Sequence, residues 1–258
     1  MTTELFAIQL VASFIIGGFV IALAITAGEK FGPKIGGIIL MIPSTSLVSF
    51  FFIGLVNSKE YIQNIVPFSI IGMAIFMVFI GVFIAFVEKF GKGAIGISLL
   101  VWFLLAFLAL AFPITNLGIA LIIFLGVYLA INIYFKKNEM IARVKPLTNS
   151  KIFIYRMLFA GTTVSCVVFL SKTLGPAWGG LFTMFPAATM TSFWLMLSEY
   201  PKEFARSVAL KILAPSIIIT LYATAAYFIY PLVGIYLGTI ICVVFNMCIA
   251  FIFSKILK

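Results

Sequence analysis

The sequence predicts an all-α protein, a polytopic transmembrane helical bundle of about nine helices arranged as two inverted four-helix repeats joined by a linker helix. Three observations lead there. Of the 258 residues, 64% are hydrophobic and 9% are charged, whereas a soluble domain carries roughly 25% charged residues. Nine apolar segments have the length that crosses a hydrocarbon core, about 20 residues. One stretch is also written twice. Residues 32–50 read GPKIGGIILMIPSTSLVSF, and residues 175–193 read GPAWGGLFTMFPAATMTSF, at a constant offset of 143. Between 29–51 and 172–194, eight of 23 positions are identical: Gly32/Gly175, Pro33/Pro176, Gly36/Gly179, Gly37/Gly180, Met41/Met184, Pro43/Pro186, Ser49/Ser192 and Phe50/Phe193.

The expected spans are 5–27, 35–57, 62–87, 93–112, 117–135, 151–171, 177–198, 208–229 and 231–253. The first follows MTTEL, which lacks the positive n-region of a signal peptide, so it reads as a retained helix. The fourth and fifth are parted by Pro113-Ile114-Thr115-Asn116, a turn-forming cluster. The eighth and ninth are parted at Tyr230-Pro231. Residues 1–112 form the first repeat, 113–150 the linker helix with a basic loop, and 151–258 the second repeat.

Lysine and arginine set the orientation, because cytoplasmic loops carry them in excess. With 136–150 (KKNEMIARVKPLTNS) in the cytoplasm, 14 of the 17 basic residues fall inside. Only Lys59 and Lys172 fall outside, and Arg156 lies one turn within a helix. The expectation is a cell (inner, cytoplasmic) membrane protein with its N-terminus out and its C-terminus in the cytoplasm. The net charge of +10 follows from this bias. Scattered along one membrane face, it suits anionic lipid heads and argues against nucleic acid as a partner. The partners expected are the bilayer and a small-molecule or ion substrate, and a homodimer is left open.

The repeated segment has its own physical logic. Gly36-Gly37 and Gly179-Gly180, behind Gly32-Pro33 and Gly175-Pro176, let a neighbouring backbone approach closely. Pro43 and Pro186 lie on the order of 12 Å into their helices at 1.5 Å per residue. Each should kink its helix and free the carbonyl one turn earlier, which in lipid must find protein or water. Hydroxyls follow: Ser44, Thr45, Ser46 and Ser49 in one copy, Thr189, Thr191 and Ser192 in the other, with Thr183 one turn before Pro186. Together with the two prolines these are the candidate substrate-binding residues. The alternative is a packing kink whose hydroxyls bond back to their own helix. Asn132, Asn246, Thr162, Thr163 and Ser165 read as interhelical hydrogen-bonding groups. Arg156 and Lys211 read as snorkelling cations, or as the lining of a cytoplasmic vestibule.

The chain has no histidine and no aspartate, and its seven glutamates fall at helix ends or in loops. No metal site, no cofactor and no nucleophile–base pair is therefore expected, and the protein is not read as an enzyme. Proton coupling normally uses an intramembrane acid or histidine, so it loses ground to facilitated diffusion, a channel, or sodium coupling through hydroxyls and carbonyls. No nucleotide-binding loop is present.

The segment GPAWGGLFTMFPAATMTSFWLMLSEYPKEFARS, with Gly180, Phe185 and Pro186 in a Gly-x-x-x-x-Phe-Pro pattern, resembles the GlpM-like family of small four-helix bacterial membrane proteins. The first half has Ile42 where the aromatic would stand. The resemblance covers about 80 residues of the second half, with a diffuse echo in 10–112, and implies a fused pair of such units. That family is associated with exopolysaccharide production and supplies no catalytic residues. Two functions follow as expectations. One is a secondary carrier or uniporter moving a small polar solute or lipid-linked species by alternating access between the repeats. The other is an accessory membrane protein of an envelope or polysaccharide assembly system.

Overall fold

A computed structural model describes residues 3–30, 43–135 and 150–256. The described residues are all-helical, without strands. In chain order the helices are α1 (Thr3–Lys30), α2 (Ser44–Val56), α3 (Tyr61–Phe90), α4 (Gly93–Ala111), α5 (Leu117–Tyr134), α6 (Ser150–Thr173), α7 (Pro176–Phe182), α8 (Ala187–Glu199), α9 (Lys202–Leu213), α10 (Ser216–Val233) and α11 (Ile235–Ile256). Joined end to end, α7 with α8 and α9 with α10 each make one membrane-length element. Among the described residues, eight elements are then long and apolar enough to cross a membrane, and α2 is a shorter apolar helix. The make-up is that of a multi-pass membrane protein.

Two expected boundaries change. Helix α10 runs through Pro231 and ends at Gly234, whose φ of 85° is a conformation that side-chain-bearing residues rarely adopt. The Gly234 N–H then caps the Tyr230 carbonyl at 3.0 Å. Pro231 sits in the last turn, so its missing N–H removes a single helical bond, that to the Tyr227 carbonyl. The element expected at 208–229 also begins earlier, at Lys202, and is divided at Ala214–Pro215 into α9 and α10. The turn before α5 is as expected, with the Asn116 side chain accepting from the Ile119 N–H at 3.1 Å as an N-cap.

Helix α3 is the axis of the bundle. It packs against α2, α4, α5, α7, α9 and α10, and 72% of its spanning window is buried, against 11–39% for the other seven. It is apolar all round, as a helix enclosed by others must be. The outer helices instead present bare apolar faces, such as Ile8, Val11 and Ile15 on α1 and Leu100, Leu104 and Phe107 on α4. Lipid is the natural solvent for these.

The 143-residue offset reappears in three dimensions. Helices α2 and α8 begin and end at positions separated by 143, each preceded by proline. Gly91 and Gly234, also 143 apart, both take positive φ and cap α3 and α10 in the same way, with N–H to the Val87 and Tyr230 carbonyls. Lys59 donates to the Pro231 carbonyl at 2.8 Å, and its counterpart Lys202 donates to the Glu88 carbonyl at 3.2 Å. Each lysine thus covers the carbonyl end of the other half's long helix, where a cation is favoured. Lys59 also lies 3.8 Å from the exposed Glu60 carboxylate. That carboxyl is held below its usual range first by its own backbone N–H, then by Ser58 and Lys59.

Helices α1 and α6 form a closely packed pair. Phe6 stacks on Phe169, the Leu10 carbonyl accepts from Ser165 Oγ at 2.9 Å, Phe14 abuts Gly161, Gly18 abuts Met157, and Phe19 meets Phe153 edge-on. The partner number falls as the first rises, so the two helices run antiparallel. At the crossing the contacts are reciprocal. A Cβ on Gly18 would strike the Met157 carbonyl, and one on Gly161 would lie 2.5 Å from the Phe14 carbonyl. Both glycines, like both carbonyls, are 143 apart. Other polar residues fall as expected or closer to home. Ser165 and Asn246 bond to neighbouring helices, whereas Asn132 and Thr163 bond back to their own carbonyls four residues earlier, the nearest acceptors to short side chains on a helix. Arg156 is buried among helices, not snorkelled to the surface, while Lys211 is exposed.

Gly18→Ala and Gly161→Ala should each destabilise the protein by about 1–3 kcal/mol, the usual cost of overpacking. Gly17→Ala should cost less, because its added methyl meets only side chains of Val164 and Val48 at 3.2 Å. Thermal unfolding in nanodiscs checks the order.

Candidate functional site

The helix holding the second copy is interrupted, which goes beyond the expected kink. Helix α7 closes at Phe182, Thr183 to Pro186 are non-helical, and α8 starts at Ala187. The carbonyl expected to be freed by Pro186 is that of Phe182, yet the Phe185 N–H takes it at 3.1 Å in a tight turn. The unsatisfied groups lie elsewhere. Among the described residues, no donor reaches the carbonyls of Thr183 and Met184. The first amide of α2 to find a main-chain acceptor among the described residues is Leu47, to Pro43 at 2.8 Å, and neither α2 nor α8 has a side-chain cap. The amides of Ser44, Thr45 and Ser46, and those of Ala188 and Thr189, find no acceptor among the described residues, as helix starts leave them.

These two helix starts meet. Ser46 Oγ donates to Met184 Sδ at 3.6 Å, and between them opens a cavity of about 340 Å³. Its polar wall comprises Ser44, Thr45, Ser46, Thr183, Thr189 and Ser192, with Pro43. The remainder is Ile21, Ile25, Met73, Phe76, Met184, Phe185, Ala188, Phe193, Met196, Val208, Ile212 and Ile219. No charged side chain is among them. Seven of the ten predicted binding residues thus line one cavity. Three do not. Pro186 is the N-cap of α8, Thr191 bonds back to the Ala187 carbonyl at 2.8 Å, and Ser49 is fully buried with an unpaired hydroxyl.

The lining hydroxyls are unequal. Ser192 bonds back to Ala188. Thr183 Oγ1 donates to the Gly180 carbonyl at 2.6 Å, with Ser69 Oγ 2.9 Å away. Ser44, Thr45 and Thr189 have no side-chain partner among the described residues. Sequence reasoning found these hydroxyls but missed the apolar wall from α1, α3 and α9, whose residues look like ordinary spanning sequence. A full charge in this space would meet each helix start as about half an elementary charge, worth at most ~2 kcal/mol. Stripping an ion of water costs several kcal/mol, so the balance runs against an unpaired ion.

The glycines of the second copy build the wall behind the cavity. Gly175 takes a φ of 92° and Pro176 opens α7. A Cβ on Gly179 would strike Ser171, and one on Gly180 would lie 2.6 Å from the Ile65 carbonyl and from Phe68, so α7 is pressed onto α3 and α6. Phe185 is held by Trp102 edge-on at 5.1 Å and by Phe182 stacked at 5.9 Å. It also lines a second, about 390 Å³ groove with Leu158, Phe159 and Cys166, which have exposed faces. The residues predicted for this role in the first copy, Gly32, Pro33, Gly36 and Gly37, lie outside the described residues. No group of three or more potential metal-ligating side chains occurs among the described residues.

Residues 10–116 match a family described as a protein of unknown function, DUF3147. The matched segment runs from α1 to the turn before α5. It falls on the half where the GlpM-like pattern is weaker. Comparison with curated proteins and with solved structures returned no match.

In a cysteine-free background, Thr45→Cys and Thr189→Cys should react with a small hydrophilic thiosulfonate. Ser49→Cys and Thr191→Cys should stay unmodified. Labelling followed by mass spectrometry checks this, and equal reaction at all four would remove the cavity as a solvated compartment.

Proposed function

We propose that this chain is a membrane carrier in which a small solute passes between two inverted four-helix units by alternating access. The observation that carries the reading is a cavity bounded by the starts of α2 and α8, equivalent helices of the two halves, each uncapped and opened by a proline. Discontinuous helices meeting near mid-membrane at a repeat interface are how many carriers build their binding sites. Several features support inverted halves. The equivalent helices α1 and α6 run antiparallel, and their glycine contacts are reciprocal. Reciprocal contacts are the mark of a two-fold relation, and between antiparallel helices such an axis lies across them.

The halves are also interlocked. Phe50 of α2 stacks on Tyr222 of α10, and Phe193 of α8 stacks on Phe83 of α3 at 3.9 Å. The short helix of each half therefore rides on the long helix of the other, an arrangement suited to rocking. In the orientation expected from the charge bias, Ile25, Met196 and Val208 belong to the cytoplasmic half, and α7 fills the outer half behind Thr183. Lys59 and Lys202 would then act at opposite membrane faces as equivalent clasps, the inner one reinforced by Arg206 against Glu88 at 3.3 Å. The likeness to GlpM-like proteins fits a fused pair of units, and the accessory role in envelope assembly is the reading to beat.

The decisive test needs no substrate. Lys59→Ala should let an impermeant thiol reagent reach Thr45→Cys from outside, whereas Lys202→Ala should favour attack from inside. Access from one face only, in every variant, would rule out alternation. Pro43→Ala and Pro186→Ala should each lower the exchange between the two accessibilities by about tenfold while protein level is kept. Protein that co-purifies with an assembly enzyme and never alternates would establish the accessory role.

A further inference from the structure

The cavity is polar at one end only. The hydroxyls without a partner among the described residues, Ser44, Thr45 and Thr189, cluster at the two helix starts. From there the wall turns apolar. Met196 lies two turns further along α8, roughly 12 Å at 1.5 Å per residue, and it faces the same space as Ile25 and Ile212. A sugar or other solute polar all round would leave most of its hydroxyls against such side chains, where an unpaired polar group is unfavourable. An amine would find no carboxylate among the lining residues. A carboxylate or phosphate would find no lysine or arginine among the described lining residues, and the partial charges of the helix starts do not replace its lost hydration.

Resting on the reading of this cavity as a solute site, we propose that its ligand is a neutral amphiphile. One uncharged polar end group sits among Ser44, Thr45 and Thr189, and an apolar body lies toward Ile25, Met196 and Ile212. The hydroxyls, and the amides of Ala188 and Thr189 at the start of α8, can donate to a hydroxyl or carbonyl oxygen, and the hydroxyls can also accept. The thioethers of Met73, Met184 and Met196 adapt to the shape of the apolar body. A neutral ligand also fits the lack of ionisable side chains among the described lining residues.

Three probes of one skeleton separate the possibilities: phenylethanol, phenylacetate and phenylethylamine, which are neutral, anionic and cationic at pH 7. Each is titrated against the full chain in nanodiscs, and the unfolding midpoint is followed, since a ligand of the folded state raises it by mass action. Phenylethanol should give a saturable rise, and the other two should not. Thr45→Val with Thr189→Val should weaken phenylethanol on the order of tenfold, as expected for two lost hydrogen bonds. Thr191→Val, outside the cavity, should leave it unchanged. If the double variant does not fold, Ser44→Ala should still weaken binding. Tighter binding of either ion, no saturation by any probe, or wild-type affinity in the hydroxyl variants overturns the proposal. Phenylethanol binding in a protein that never alternates would sink the carrier reading and leave the site standing.

Discussion

A bilayer offers no hydrogen-bond partner to an exposed peptide group, so a break in a spanning helix survives only where protein or a water-filled space surrounds it. The interruption at Thr183–Pro186 sets that demand, and the rest of the molecule meets it. Helix α7 is pressed against α3 and α6 through Gly179 and Gly180, Ser69 and Thr183 share the Gly180 carbonyl, and an aromatic cluster around Trp102 covers the break. The groups left over face the cavity. Enclosure of α3 and the existence of a polar pocket in an apolar protein therefore have one cause.

The second constraint is that the halves are not self-sufficient. The reciprocal glycine crossing of α1 and α6, the exchanged Phe50 and Phe193, and the lysine caps on Glu88 and Pro231 all run from one half to the other. Each half supplies what the other lacks. If the chain is the carrier proposed above, movement between the halves would change these contacts in matched pairs.

Much of this was legible in the residues. Apolar length located the spanning elements, and the basic residues divided by loop. The contiguous repeat marked Pro43 and Pro186, hence the two helix starts and most of the hydroxyls that line the cavity. What was hidden has physical reasons. Gly18 and Gly161 lie outside the contiguous copy, and an isolated glycine in a spanning helix does not announce its partner. Lys59 and Lys202 read only as topology signals, because a side chain's bond to a carbonyl 100 or more residues away leaves no local pattern. Pro231 read as a helix break because proline usually is one. The last turn tolerates it, and Gly234 ends the helix instead.

The α1–α6 pairing has a consequence for biogenesis. Helix α1 finds the mate for its glycine face only after some 130 further residues have been made. At about 5–20 residues per second of synthesis, it waits roughly ten seconds in the membrane with Gly17, Gly18 and Ser13 uncovered. Such a face invites the wrong neighbour, and during that interval the membrane insertion machinery, or another nascent copy, competes with the helix not yet translated.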